Sequence, residues 1–445
     1  MTAYGLKLKS WFFLLLSVIL LVTAGCRKER EGPVVQKERG RVMLGVEVFL
    51  EKHLDLLRGR RVGLVTNPTG TNSRLQSTMD LFARNPDINL VALYGPEHGV
   101  RGNAQAGEHV PFSRDEKYNL PVFSLYGQTR KPASGMLKDI DAYMRSFDTQ
   151  REGKVPRKSM VGGLDVMVFD IQDVGTRIYT YTATMAYCME ACAESGIAFV
   201  VLDRPNPING VAMEGPLLEY PEYSSFVGLY PIPVRHGMTV GELALLFNDR
   251  FLARKVDLTV IPMEGWERWM WYDETSLPWV IPSPNMPALE TATVYPGQVF
   301  LEGTNISEGR GTTKPFSLFG ATWIDGYEIA ERLNRLDLPG VAFREAWFTP
   351  VFSKYQGQLC GGAQIHIMDR DRYRPFETTL HIIKTIMDLY PDRFRFHEEY
   401  FDKLMGGPKI RKALMEGRTV EEIVWSYEKD LKRFSEERKP YLLYR

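Results

Sequence analysis

The sequence predicts an α/β protein: a parallel sheet covered on both faces by helices, followed by a second, smaller α+β region. Three observations carry this. Short uninterrupted apolar runs alternate with helically spaced stretches between residues 60 and 262, which is how strands buried on both faces read. The 445 residues far exceed the ~150 of an average domain. Beyond residue 263 the rhythm gives way to irregular chain and then to a mixed strand–helix pattern.

Arg61–Thr66 (RVGLVT) is the first strand, closed by Asn67-Pro68-Thr69-Gly70, and Leu75–Ala83 has helical spacing. The next strand, Leu90–Tyr94, ends at Gly95-Pro96-Glu97-His98-Gly99. Pro121–Leu125 is a short strand and Gly135–Phe147 a helix. The polar stretch 148–160 reads as a surface insertion. Asp165–Phe169, the helix Thr180–Glu194 and the strand Ala198–Leu202 continue the alternation, with a helix to Phe251 and a strand at Leu258–Pro262. Residues 266–322 are rich in Trp, Pro, Gly and Asn with little periodicity, a pattern common in functional segments. A helix at Gly326–Leu336, strands near Val341–Phe348 and Gly361–Met368, a helix at Phe376–Tyr390 and a charged helical C-terminus complete the chain. The expected organisation is 43–275 for the sheet domain and 276–445 for the α+β domain.

The N-terminus differs from the rest. Lys7 and Lys9 precede an apolar run of twelve positions from Trp11 to Val22, then Thr23-Ala24-Gly25 and Cys26. That run is shorter than the ~20 residues a membrane-spanning helix needs, and the pattern is that of a secretory signal over residues 1–25. Cys26 after small residues resembles the bacterial lipoprotein signal, so Cys26 is the expected lipidation site and residues 26–42 a charged tether. The expectation is an exported protein anchored by lipid to a bacterial membrane, facing the periplasm or cell-wall space. Three cysteines remain, and Cys188 and Cys192 in an apolar helix read as buried thiols.

Composition removes several function classes. Fifty-five basic and 55 acidic side chains leave no net charge, and 12% aromatic residues argue for a packed core; a nucleic-acid binder would show a basic excess. No G-x-G-x-x-G or phosphate-binding lysine loop follows the first strand, so no nucleotide cofactor is expected. No G-x-S-x-G elbow marks a serine nucleophile. Metal-assisted amide or ester hydrolysis has only loose material in His98, Asp170, Asp173 and His236, without paired-histidine spacing, and no metal is expected.

In parallel sheets ligands bind beyond the carboxyl ends of the strands, and here those ends are all polar and turn-rich. Glu97 projects from one of them. Asp170, Asp173, Arg177 and Tyr179 follow another, Asp203, Arg204 and Asn206 a third, and Glu214, Glu302 and Glu308 lie in Gly-containing loops. Glycoside cleavage needs one carboxylic acid to protonate the leaving oxygen and a second group on the other face of the sugar. Aromatic rings, Asn and Arg suit sugar faces, hydroxyls and carboxylates.

The ordered run G-L-V-T-N-P-T-G, L-Y-G-P-E-H-G-V-R-G, V-F-D-I-Q-D-V-G-T-R-I-Y-T-Y, V-L-D-R-P-N-P-I-N-G, Y-P-I-P-V-R-H-G-M-T-V-G-E-L, P-S-P-N-M-P and E-G-T-N-I-S-E-G-R-G-T resembles the exo-β-N-acetylmuramidase family, glycoside hydrolase family 171 (DUF1343). The resemblance implies a Rossmann-like domain, a smaller second domain and an active site in the cleft between them. It also implies release of N-acetylmuramic acid from non-reducing ends of peptidoglycan fragments, with muropeptides or disaccharides as partners. Glu97 matches the family's leading catalytic carboxylate and is the expected general acid. For the second carboxylate Glu308, Glu302 and Glu214 stay open, in that order. Asn67, His98, Asp170, Asp173, Tyr179, Asn206, His236, Asn285 and Asn305 are candidate substrate contacts. Arg101, Arg177, Arg204 and Arg310 are candidates for the lactyl carboxylate of muramic acid. A non-catalytic peptidoglycan-binding lipoprotein and a metal-dependent amidase or esterase using His98 and His236 are the alternatives.

Overall fold

Apolar side chains alternate across each central strand, and the computed structural model of the protein shows what that alternation buries. It describes residues 41–105, 107–108, 111–127, 130–148 and 162–445. The signal segment, Cys26, most of the tether and all but the first residue of the 148–160 stretch lie outside the described residues. Seven strands form one sheet: β1 (Arg61–Thr66), β2 (Asn89–Gly95), β3 (Ser113–Arg114), β4 (Pro121–Ser124), β5 (Val166–Asp170), β6 (Ala198–Leu202) and β7 (Leu258–Ile261). Their order is β3-β4-β2-β1-β5-β6-β7, parallel except for the edge strand β3.

Val62, Leu64, Val166, Val168, Val200 and Leu202 pack on one face with Phe49 and Phe82. Val65, Met167, Phe169, Phe199 and Val201 pack on the other. The two-residue side-chain period of a strand makes this division. The second cluster continues without a break into Phe316, Phe376 and Ile383, so the C-terminal region shares the core of the sheet. That region holds a three-stranded antiparallel sheet, β8 (Leu318–Ala321), β9 (Val341–Phe348) and β10 (Cys360–Ile367), in the order β8-β10-β9. Helix Gly326–Asn334 packs on it, helix Pro375–Leu389 packs on that helix, and helices Glu398–Met405, Lys409–Met415 and Val420–Glu437 follow in the chain.

Local chemistry sets the element ends. The helix expected from Leu75 begins at Thr78, because Ser77 accepts the Asp80 N–H as its N-cap. The 135–147 helix is two, Ser134–Lys138 and Ile140–Asp148. Tyr181–Ser195 ends at Gly196 in the left-handed conformation. The segment expected to be irregular contains the helix Leu289–Gln298 and strand β8. That helix is buried from Thr291 to Gln298 and carries Pro296 inside it, so neither a polar face nor helix propensity reveals it in the sequence. Cys188, Cys192 and Cys360 are buried free thiols.

Candidate active site

The chain enters the sheet at its centre, runs outward through β2 and β4, and returns to add β5, β6 and β7 on the other side. The carboxyl ends of β1 and β5 therefore form the switch point at which such sheets usually hold a ligand. Here that space is filled. Asp170, the last residue of β5, accepts Arg204 Nε at 2.5 Å and Nη2 at 2.9 Å, and also the Thr78 hydroxyl. Arg204 adds a bond to the Thr71 carbonyl at 2.8 Å.

The open space lies to one side, past the end of β2. A cavity of about 960 Å³ with an adjoining recess of about 50 Å³ is lined by residues from the sheet loops and from the C-terminal region. Glu97 reaches it from a turn in which His98 and Gly99 both take positive φ, 71° and 77°. Gly95 before it is needed for close packing, since a Cβ there would stand 2.9 Å from the Val100 backbone nitrogen. His98 Nδ1 donates to the Ala104 carbonyl at 2.7 Å and pins the turn. Glu97 accepts the Thr180 hydroxyl at 2.8 Å on one oxygen and the Gly107 N–H at 3.2 Å on the other. Thr180 is the N-cap of helix Tyr181–Ser195, so the carboxylate is fixed by a rigid element.

The C-terminal region contributes charge. Glu302 sits in the 3-10 helix Val299–Gly303, and Glu308 and Arg310 follow in the Ser-Glu-Gly-Arg-Gly loop. Arg310 bonds Glu302 through Nη2 at 2.8 Å and Nε at 3.2 Å, and its Nε lies 3.6 Å from Glu308. Lys354 Nζ reaches the other Glu308 oxygen at 3.1 Å, and Tyr400 donates to Glu302 at 3.1 Å. Burial works to lower the Arg310 pKa, but Glu302 and Glu308 outweigh it and hold the guanidinium above its ordinary value. Burial pushes the hydroxyls of Tyr179, Tyr295 and Tyr400 up, the last also through Glu302. The rings of Tyr181 and Tyr295 meet Tyr179 edge-on, at 4.8 and 5.7 Å.

Seven of the residues expected at the site line these spaces: Glu97, His98, Tyr179, Asn285, Glu302, Glu308 and Arg310. Ten do not, and each has a structural occupation. Besides Asp170 and Arg204, Glu214 pairs with Arg235 at 2.8 Å and accepts the Phe376 N–H. Arg177 is buried and donates to the carbonyls of Pro216, Ile232, Leu404 and Met405, tying two regions together. Burial lowers its pKa. His236 is fully buried, accepts the Met238 N–H at 3.2 Å and stands 3.7 Å from Asp173. Asp173 accepts the Gly175 N–H. Asn67 and Asn206 close their own turns through Thr69 and Ile208, and Asn305 pairs with the backbone of Arg393 and Arg395. Arg101 bonds Asp115 on a separate surface groove. Among the described residues no group of three His, Cys, Asp or Glu side chains could hold a metal ion.

Several lining residues were not singled out by sequence reasoning, among them Tyr126, Arg130, Phe226, Tyr295, Lys354 and Tyr400. Of these only Tyr126 stands beside a glycine, Gly127, in the turn after a strand, and a Tyr or Lys in the second region carries no local mark of facing a cavity.

The family models for the exo-beta-N-acetylmuramidase NamZ match this chain in both parts: the N-terminal model over residues 62–153 and 144–290, the C-terminal model over 293–444. A peptidoglycan beta-N-acetylmuramidase NamZ of Bacillus subtilis is 53% identical over 408 residues, covering 92% of each chain. Two DUF1343 family proteins of Bacteroides fragilis share the fold: one at TM-score 0.81 and 38% identity, the other at 0.69 and 31%, each over 91% of this chain and 99% of the other. The chain belongs to the exo-β-N-acetylmuramidase NamZ family.

Proposed function

We propose that this protein is an exo-acting glycoside hydrolase that releases N-acetylmuramic acid from the non-reducing ends of peptidoglycan fragments, with Glu97 as its general acid. The single observation that carries the assignment of chemistry to the cavity is the placing of Glu97 there. Two donors orient its carboxyl group, and Glu302, Glu308 and Arg310 line the same space. In the reaction the C1–O bond of the terminal sugar breaks. Glu97 gives its proton to the departing oxygen, and water supplies the hydroxyl that ends on C1. The second carboxylate comes from the pair shared by Arg310, Glu308 or Glu302. Glu214 is bonded elsewhere.

Digestion of peptidoglycan fragments followed by analysis of free sugars tests the reading. Release of N-acetylmuramic acid only, one residue at a time, is the expected result. Saturable binding with no released sugar would favour the non-catalytic lipoprotein. Activity abolished by a chelator and restored by a divalent ion would favour the amidase or esterase. Against that alternative, His236 is fully buried, accepts the Met238 N–H and does not line the cavity with His98.

The proposal extends to location: export by residues 1–25 and anchoring by lipid at Cys26. It is supported by the lysines, apolar run and small residues of the N-terminus. Metabolic labelling with a radiolabelled fatty acid, lost in Cys26→Ser, is the check.

A further inference from the structure

Muramic acid differs from glucosamine by a lactyl ether ending in a carboxylate, so a site selective for it needs a cation with donors to spare. Four cations line the cavity: Arg130, Arg310, Lys354 and Lys403. Arg310 is engaged by Glu302 and Glu308. Lys354 gives its three ammonium donors to the carbonyls of Leu301 and Ile306, at 2.7 and 2.9 Å, and to Glu308. Among the described residues neither Arg130 nor Lys403 has a carboxylate partner.

The two differ in preorganisation. The Arg130 guanidinium lies 4.3 Å from the ring centroid of Phe226 and 5.5 Å from that of Tyr126. Phe226 is itself buried and stacked on Tyr187 with planes 3° apart. A guanidinium held over ring faces keeps its in-plane N–H groups directed outward, as a fork that matches a carboxylate, and little rotamer freedom is left to lose. An exposed lysine has neither feature. Position favours Arg130 too: Glu97, Tyr126 and Arg130 line the same cavity, and the Tyr126 hydroxyl, its pKa raised by burial first and then by Glu97 and lowered by Arg130, feels both charges.

We infer that Arg130, stacked on Phe226 and Tyr126, is the specificity-determining residue that grips the lactyl carboxylate of the terminal sugar. The inference rests on the muramidase reading above. The experiment uses the full chain, with Arg130→Gln and Arg130→Lys. Calorimetric binding of N-acetylmuramic acid and of its lactyl amide is read beside kcat/KM on the chromogenic β-muramide, its lactyl amide and the β-N-acetylglucosaminide. In Arg130→Gln, binding and kcat/KM for the free acid fall by about 10- to 100-fold, mainly through KM, as expected for a lost charge-assisted contact. The amide and glucosaminide change by less than about twofold on the same scale, and Arg130→Lys is intermediate. An equal fall on all three substrates would make Arg130 structural and overturn the inference. So would retained preference for acid over amide in Arg130→Gln, with that preference lost instead in Lys403→Met. Absence of turnover on every substrate would sink the glycosidase reading by itself, and the acid-versus-amide binding difference would still decide Arg130.

Discussion

Arg204 closes on Asp170 with two nitrogens, Nε to Oδ1 at 2.5 Å and Nη2 to Oδ2 at 2.9 Å, in the space beyond the carboxyl ends of β1 and β5. Their side chains are 3% and 0% exposed. The switch point of the sheet is thus occupied by the protein's own charges, and the cavity opens beside it, past β2. A pair in this position locks the β1, β5 and β6 loops together.

Removing one partner leaves a buried uncompensated charge, at a cost of ~3–5 kcal/mol. Arg204→Met and Asp170→Asn are therefore expected to lower unfolding free energy by that order in denaturant titrations. The kcat/KM of the fraction that remains folded should stay within a few-fold of wild type. A specific loss of activity at unchanged stability would return Arg204 to the substrate.

Glu97 touches the cavity and accepts hydrogen bonds from Thr180 and Gly107. Glu97→Gln keeps the size of the side chain, so stability should change little. Turnover on the chromogenic muramide should fall by ~10²–10⁴-fold, the usual contribution of a positioned acid. Near-normal turnover in a folded variant rejects the role.

Glu302 and Glu308 share Arg310, and the second carboxylate is separated from its neighbour by chemical rescue. Alanine at the true position opens room for azide, which restores turnover and gives a glycosyl azide. The same change at the other position yields an enzyme that azide leaves unaffected. Product configuration by NMR then distinguishes a nucleophile from a base that activates water. Arg310→Met should impair both stability and activity, since it frees two carboxylates at once.

Asp203, after β6, supplies a pH signature. It accepts the Gly241 N–H and the hydroxyls of Thr239 and Tyr444, at 2.8, 2.7 and 2.6 Å. Burial outweighs these donors and pushes the carboxyl up to about 6. With an unfolded value near ~3.9, the folded state binds the proton more tightly between the two. This residue therefore makes stability decrease as pH rises from ~4 to ~6, by an order of 3 kcal/mol. Urea titrations at pH 4, 5, 6 and 7 should show that component missing in Asp203→Asn. A component of the opposite sign would contradict the burial argument.

Much of the fold was legible in the chain. The apolar runs RVGLVT, DVMVF and AFVVL become β1, β5 and β6 because a strand buried on both faces has no polar position to spare. Glu97, singled out in the sequence by its Gly- and Pro-flanked turn after a strand, lines the cavity in the fold. The helix Leu289–Gln298 was not legible, being buried on all sides and interrupted by Pro296.

Sequence by itself determined most of the succession of strands and helices, because local periodicity marks them, and its ordered motifs carried the family resemblance, including the Glu97 of the Pro-Glu-His-Gly turn. Tertiary structure alone decided which polar groups face open space. Arg177, Arg204 and Arg310 all sit in motif loops, yet the first two donate inward to carbonyls and to Asp170 while the third meets two carboxylates at the cavity. The division is physical: a buried guanidinium takes whichever partners the folded chain brings within reach, and those partners stand up to 228 positions away in the sequence.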